Sequence, residues 1–293
     1  MESSPTMGII ETHHDVLSRR LPGDRLDELA VHQGQFHQVV IGSDRVVCFA
    51  RTEAAAVRLP ARAAVLRALA GLDLGFRTPR PLSESGCRAT DEPPYLVLSR
   101  IPGAPLKDDA FDSPEVAEAV ATQYATLLSG LAAAANDEKV RAVLPLAPEG
   151  EWQEFGAGVR AELFPLMSDS GRERAERELT ALDALPRLTA AVVHGDPGGE
   201  NVLWETSGGV PRLSGVVDWD EVTVGDPAED LAAVGASYGE ELLGRVLTLG
   251  GWAGTEMAGR IAAIRGTFAL QQAFSAQRDG DEEELADGLT GYR

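Results

Sequence analysis

Residues Ala190–Asp230 read AAVVHGDPGGENVLWETSGGVPRLSGVVDWDEVTVGDPAED, and the fold follows from how this stretch is punctuated. A short apolar run, Ala191–Val193, ends in His194-Gly195-Asp196. Five residues after Asp196, Asn201 opens a second apolar run that continues to Trp204. A Gly-rich turn over Thr206–Gly209 leads to a third run, Leu213–Val217, closed by Asp218. Short apolar runs bounded by Gly, Pro, Asn and Asp predict strands, and two of them separated by a Gly-Gly turn predict a hairpin. Asp196 and Asn201 then lie in the loop before the hairpin, and Asp218 at its far end.

Three groups at these spacings suit phosphoryl transfer from a nucleotide. One carboxylate must orient the acceptor hydroxyl and take its proton. An amide oxygen and a second carboxylate must hold magnesium against the triphosphate. Kinases meet this need with an Asp, an Asn five residues on, and a later Asp after a strand. Here the catalytic role falls on Asp196, and the metal roles on Asn201 and Asp218. Each residue alone reads as an ordinary turn-former; the three together, each beside an apolar run, do not.

His194-Gly195-Asp196 with Asn201, then Asp218-Trp219-Asp220 and Gly225-Asp226-Pro227, resembles the aminoglycoside phosphotransferase family. The resemblance implies a two-lobed, protein-kinase-like α+β fold, with ATP or GTP as donor and Mg2+ as cofactor. Family members commonly carry another residue at the position of Pro197 and His-Pro at Gly198-Gly199, a difference of loop shape that leaves the three chemical groups in place. Within the family, Val31–Ala50, Glu92–Pro105 and Glu282–Arg293 resemble members that phosphorylate cationic cyclic-peptide antibiotics of the tuberactinomycin group, viomycin and capreomycin. The implied substrate is a small cationic antibiotic, inactivated by phosphorylation of a hydroxyl. An aminoglycoside or metabolite kinase is the alternative within the class, and a non-catalytic drug-sequestering protein the alternative outside it. By resemblance, Asp226 braces the catalytic loop.

Composition agrees with this reading. The chain has 293 residues, enough for two lobes, with 44% hydrophobic and 25% charged residues. A net charge of −20 argues against nucleic acid as partner and suits a cationic substrate. No apolar run is long enough to span a membrane, and MESSPTMGIIETHHD has no secretory pattern, so a cytoplasmic protein is expected. Cys48 and Cys87, without metal-ligand spacing, fit reduced thiols. A monomer is expected, with a homodimer as the alternative.

The predicted lobes are residues 1–98, β-rich and nucleotide-binding, a hinge at 99–103, and a mostly helical lobe at 104–293. In the first lobe, Glu11–Leu21 reads as a short helix with His13 and His14 on its surface. Val39–Ile41 and Val46–Phe49 read as strands, and Pro60–Ala70 as the following helix. Gly34, Gln35 and Phe36 occupy the position of a loop over the nucleotide phosphates. Ser99, Arg100 and Ile101, at the end of the apolar strand beginning at Tyr95, are expected to offer backbone groups to the nucleobase. The strand Val46–Ala50 departs from the kinase pattern. Where a lysine should neutralise phosphate stands Cys48, and the chain's two lysines, Lys107 and Lys139, lie elsewhere. Arg51, assigned here to nucleotide binding, and Arg62 are the cations left to take this role. The other reading makes both surface residues and leaves neutralisation to magnesium. Glu200, Asp220 and Glu221, with the acidic run Asp279–Glu284, are expected to line a cleft for the cationic substrate.

Overall fold

The computed structural model describes residues 5–34, 36–85, 92–107, 110–111 and 113–293; Gln35 and Cys87 lie outside the described residues. The chain forms two compact units, residues 1–107 with 200–220, and residues 108–199 with 221–293. These differ from a single cut near residue 100, because the segment 200–220 returns to the first unit. Backbone bonding gives the reason. The amide of Ala104 donates to the Trp204 carbonyl (3.0 Å), that of Trp204 to the Ala104 carbonyl (2.8 Å), and that of Arg77 to the Ser214 carbonyl (3.1 Å).

The first unit opens with helices α1 (Pro5–Thr12) and α2 (His14–Arg20). A five-stranded antiparallel sheet follows, built from β1 (Ala30–Gln33), β2 (His37–Ile41), β3 (Arg45–Ala50), β4 (Pro81–Glu84) and β5 (Tyr95–Ser99) in the order β1-β2-β3-β5-β4. Its core joins Val40, Val47, Phe49, Tyr95 and Val97 to Val16, Leu17 and Leu21 of the N-terminal segment. His13 is not a surface residue of one helix. It sits at the break between α1 and α2 and stacks on Phe49 at 4.1 Å, and its partial burial lowers its pKa. β1 and β4 carry no apolar alternation, which is why only the inner strands stand out in the sequence.

Helix α3 spans Glu53–Ala70, beginning seven residues before the expected start. Thr52 caps it, its side chain accepting from the Ala55 amide at 3.1 Å. Pro60 is therefore inside the helix, on its exposed side. Proline usually marks a first turn; here the early cap and the buried stripe Ala55, Leu59, Ala63, Leu66 and Leu69 carry the helix through it. Strands β7 (Val202–Ser207) and β8 (Val210–Val216) form the expected hairpin. Gly208 and Gly209 turn it at φ 68° and 90°, the left-handed pair that a two-residue hairpin loop requires.

The second unit is helical: α4 (Pro114–Ala134), α5 (Glu138–Arg141), α6 (Glu151–Glu162), α7 (Asp169–Asp183), α8 (Pro227–Gly250), α9 (Thr255–Gly266), α10 (Phe268–Asp279) and α11 (Glu282–Gly288). Ser113 caps α4 with Pro114 at its first position, as its sequence predicts. The small sheet β6 (Ala191–Val193) with β9 (Thr223–Gly225) presents the His194 loop. The acidic run 279–284 performs a local task. Gly280 ends α10 at φ 74°, and Asp281 caps α11 by accepting from the amides of Glu283 and Glu284 at 3.1 and 3.0 Å. Three glutamates then fill the first turn of α11, where the helix dipole favours negative charge. The run is explained by the helix boundary it makes. Among the described residues no helix is long and apolar enough to cross a membrane.

Candidate active site

The loop that carries Asp196, the expected catalytic residue, is built within the second unit. It leaves β6 at His194, whose side chain is 2% exposed, and turns at Gly195 (φ 98°). The amide of Asp196 donates to His194 Nδ1 at 3.2 Å, so the buried imidazole braces the loop from inside. Below it lies Asp230 on the buried face of α8. Its two oxygens accept from the amides of His194 (3.0 Å) and Gly195 (2.9 Å). Burial pushes the Asp230 carboxyl up to about 7, and the two amide bonds oppose that rise.

Asp226, the residue expected to brace this loop, does something else. It caps α8 in a reciprocal capping box with Glu229 and forms a buried ion pair with Arg260. Asp226 and Asp230 are four residues apart and share one helix face. The N-cap of α8 meets Arg260 and its first turn meets the loop, so the bracing role moves four residues along. Asp230→Asn is expected to lower kcat about 100-fold, because an amide can accept from only one of the two N–H groups, and displacement of a catalytic group by about 1 Å costs that much. Steady-state kinetics with unchanged substrate KM values would bear this out; unchanged kcat would show that the loop holds itself.

The far side of the loop explains Gly198. A Cβ on Gly198 would lie 2.2 Å from the Ser237 hydroxyl, and the amide of Gly199 donates to the same hydroxyl at 3.3 Å. Tyr124 donates to the Pro197 carbonyl at 3.2 Å and stands 3.1 Å from the Tyr238 hydroxyl. Pro197-Gly198-Gly199 thus fits against α8 at van der Waals distance, while Asp196 stays exposed. Glu221 is exposed beside the same loop, 3.5 Å from where a Gly195 side chain would begin. Glu151, the first residue of α6, joins this neighbourhood: desolvation and then repulsion from Glu221 raise its carboxyl. Nothing in its sequence context marks it out.

The remaining groups are in the first unit. Asn201 and Asp218 stand at one end of the β7–β8 hairpin, where the Val217 amide donates to the Asn201 carbonyl at 2.9 Å. Asp218 adopts φ 60°, the one left-handed non-glycine among the described residues. Such a conformation, tolerated best by Asn and Asp, is a recurring mark of functional positions. Trp219 anchors the bend: it is 2% exposed, donates from Nε1 to the Val216 carbonyl at 3.0 Å, and stacks on Phe76. An amide oxygen and a carboxylate at one hairpin end are hard oxygen donors, and two protein ligands suit magnesium, which completes its shell with water and phosphate. The residues present fit that ion.

The Gly34 amide donates to the His37 carbonyl at 2.9 Å. Phe36 accepts through its carbonyl from the Arg51 amide (3.0 Å), and Arg51 Nη1 donates to the Gly34 carbonyl (2.7 Å). Arg51 therefore holds the turn in place. At the strand end, the amides of Ser99 and Arg100 are engaged by the carbonyls of Arg80 and Asp44, both at 2.9 Å. Ile101 is buried just beyond them. Asp220 differs most from expectation. It is no substrate-facing carboxylate: His37 Nδ1 donates to its Oδ2 at 3.2 Å and Arg62 pairs with Oδ1, leaving the Asp220 side chain 16% exposed. Burial pushes this carboxyl up, but those two partners outweigh burial and hold it below the usual value. Glu200 is exposed in the same unit.

The chain belongs to the phosphotransferase enzyme family, whose model matches residues 27–260. It is 80% identical over 287 residues to the viomycin phosphotransferase of Streptomyces vinaceus, covering 98% of this chain and all of that one. Its fold is shared with the GDP and kanamycin complex of APH(2")-IIIa, at a TM-score of 0.82 and 18% identity over 95% of this chain and 96% of that one. It is shared too with a type I macrolide 2'-phosphotransferase, at a TM-score of 0.70 and 24% identity over 100% and 99%.

Proposed function

We propose that this chain transfers the γ-phosphoryl group of ATP or GTP to a hydroxyl of a cationic cyclic-peptide antibiotic of the viomycin and capreomycin type, and so inactivates the drug. The observation that carries the substrate assignment is the 80% identity to a viomycin phosphotransferase along nearly the whole chain. The chemistry is supported by the filled positions Asp196, Asn201 and Asp218.

Asp196, exposed on a loop fixed from below by Asp230 and from the side by Ser237 and Tyr124, orients the acceptor hydroxyl and takes its proton during in-line attack. Asn201 and Asp218 would hold magnesium, which when bound would supply charge neutralisation of the triphosphate. Gly34 and Phe36, whose carbonyls accept from Arg51, flank the phosphates. With the Ser99 and Arg100 amides committed to the sheet, the nucleobase meets the Ser99–Ile101 segment through its carbonyls and the Ile101 backbone. Glu221, next to the catalytic loop, and exposed Glu200 attract the cationic drug, and the Glu221–Glu151 repulsion is relieved when a positive group enters.

Mass spectrometry of viomycin and capreomycin after incubation with the protein, magnesium and either ATP or GTP tests this. A gain of about 80 Da, one phosphoryl group, is expected. Phosphorylation of aminoglycosides with neither peptide modified would overturn the substrate assignment. No transfer to any acceptor would overturn the reaction.

A further inference from the structure

The strand position where a kinase-like site usually places its lysine carries a buried thiol. Cys48 is 2% exposed, and its pKa is raised by burial in the first place, with Arg62 opposing and Asp220 and Asp218 adding to the rise. These four side chains are thus electrostatic neighbours around the hairpin end that holds Asp218. The cation among them comes from the helix. Arg62 lies on the buried stripe of α3, three residues after Leu59 and four before Leu66, so its guanidinium points to the sheet. Its side chain is 14% exposed.

Asp220 holds Arg62 from one side and His37 from the other. Yet Arg62 Nη1 is buried with no hydrogen-bond partner recorded for it among the described residues, and the guanidinium's other neighbour, the Cys48 sulfur, is only a weak acceptor. A buried donor left unpaired in a folded protein is costly and calls for an explanation. His37 opens β2, and Asp218 is two residues from Asp220. An anion seated beside Asp218 would lie close to the guanidinium.

We infer that Arg62, clamped by Asp220 and backed by His37, is the phosphate-binding cation of this enzyme, taking over the lysine's role from the opposite element. The usual polarity is inverted: the helix supplies the cation, and the carboxylate that steadies it comes from the segment after β8. Arginine suits the position because its planar fork can keep one edge on Asp220 and offer the other to phosphate. The inference rests on reading Asn201 and Asp218 as the nucleotide site.

Calorimetric binding of triphosphate and of the matching nucleoside separates the possibilities. Arg62→Met is expected to weaken ATP or GTP binding about 10- to 100-fold, the worth of a charge-assisted hydrogen bond, and to raise the nucleotide KM while the drug KM stays within about twofold. Nucleoside affinity should be unchanged. Removing one partner leaves Asp220 buried and charged, so the Arg62→Met/Asp220→Asn double variant is the second arm. It removes the pair together and should melt close to wild type while keeping the same phosphate-specific loss. Arg67→Met, on the exposed face of the same helix, should change neither affinity. Equal loss of nucleoside and triphosphate binding would make Arg62 a structural residue, and no loss would remove it from the site; either result overturns the inference. Absence of triphosphate binding by the wild-type chain would overturn the functional reading along with it.

Discussion

Asp196→Asn is expected to lower kcat by about 1,000-fold or more while the affinity for nucleotide stays within about twofold. The size follows from the role. A positioned general base contributes roughly 100- to 10,000-fold, and an amide at the same place can neither take the proton nor stabilise the positive charge that develops as it leaves. The specificity follows from construction. The loop's shape is set by hydrogen bonds of the His194 imidazole, of Asp230 beneath it and of Ser237 beside Gly199, none of them made by the side chain at 196, and loss of the Asp196 charge only eases its repulsion of Asp230. Asn is nearly isosteric, and surface substitutions of this kind change stability by about 0.5 kcal/mol or less. The melting temperature should therefore hold within about 2 °C. Single-turnover transfer measured beside nucleotide calorimetry reads both quantities. Near wild-type turnover with the variant would remove Asp196 from proton transfer and leave the loop as a scaffold for some other base.

What the sequence made legible was whatever local chemistry enforces. Ala191–Val193 and the Gly208-Gly209 hairpin form where expected, because apolar runs and left-handed turn residues leave few alternatives. The Ser113-Pro114 helix start is equally local. Errors arose where one local signal concealed a tertiary one. Pro60 resembles a helix start, and reading it so cut away the Thr52 cap and Leu59. With α3 restored to Glu53, Arg62 falls on the core stripe at helical spacing from Leu59, Leu66 and Leu69, and a charged residue there is a signal in its own right. Asp220 and Glu221 are adjacent acidic residues that no periodicity separates. Yet the first is enclosed by His37 and Arg62 while the second is exposed beside Gly195. Asp226 and Asp230 show the same limit. Each could brace a loop from a helix start, and only the partners that fold against them decide which one does.

The Asp226–Arg260 pair makes the largest stability prediction. Both side chains are 4% exposed; Arg260 donates from Nε to Asp226 Oδ2 at 2.7 Å and from Nη2 to the same oxygen and to the Pro186 carbonyl, the latter also at 2.7 Å. Asp226 Oδ1 meanwhile accepts from the Ala228 amide at 3.0 Å, capping α8. Arg260→Met would leave a carboxylate buried without its counter-ion, a change that costs about 3–5 kcal/mol. For a chain of this size that corresponds to a fall in melting temperature of about 10 °C. The double variant Arg260→Met/Asp226→Asn removes both charges and keeps an oxygen for the cap, so most of the loss should return, leaving a deficit of about 1–2 kcal/mol. The two single variants and the double one form a cycle whose coupling should exceed about 2 kcal/mol, because residues in one buried network are not additive. Urea unfolding followed by circular dichroism supplies the energies. Additive losses would mean that the helix cap alone, and not the ion pair, secures the start of α8 and with it the position of Asp230 one turn on.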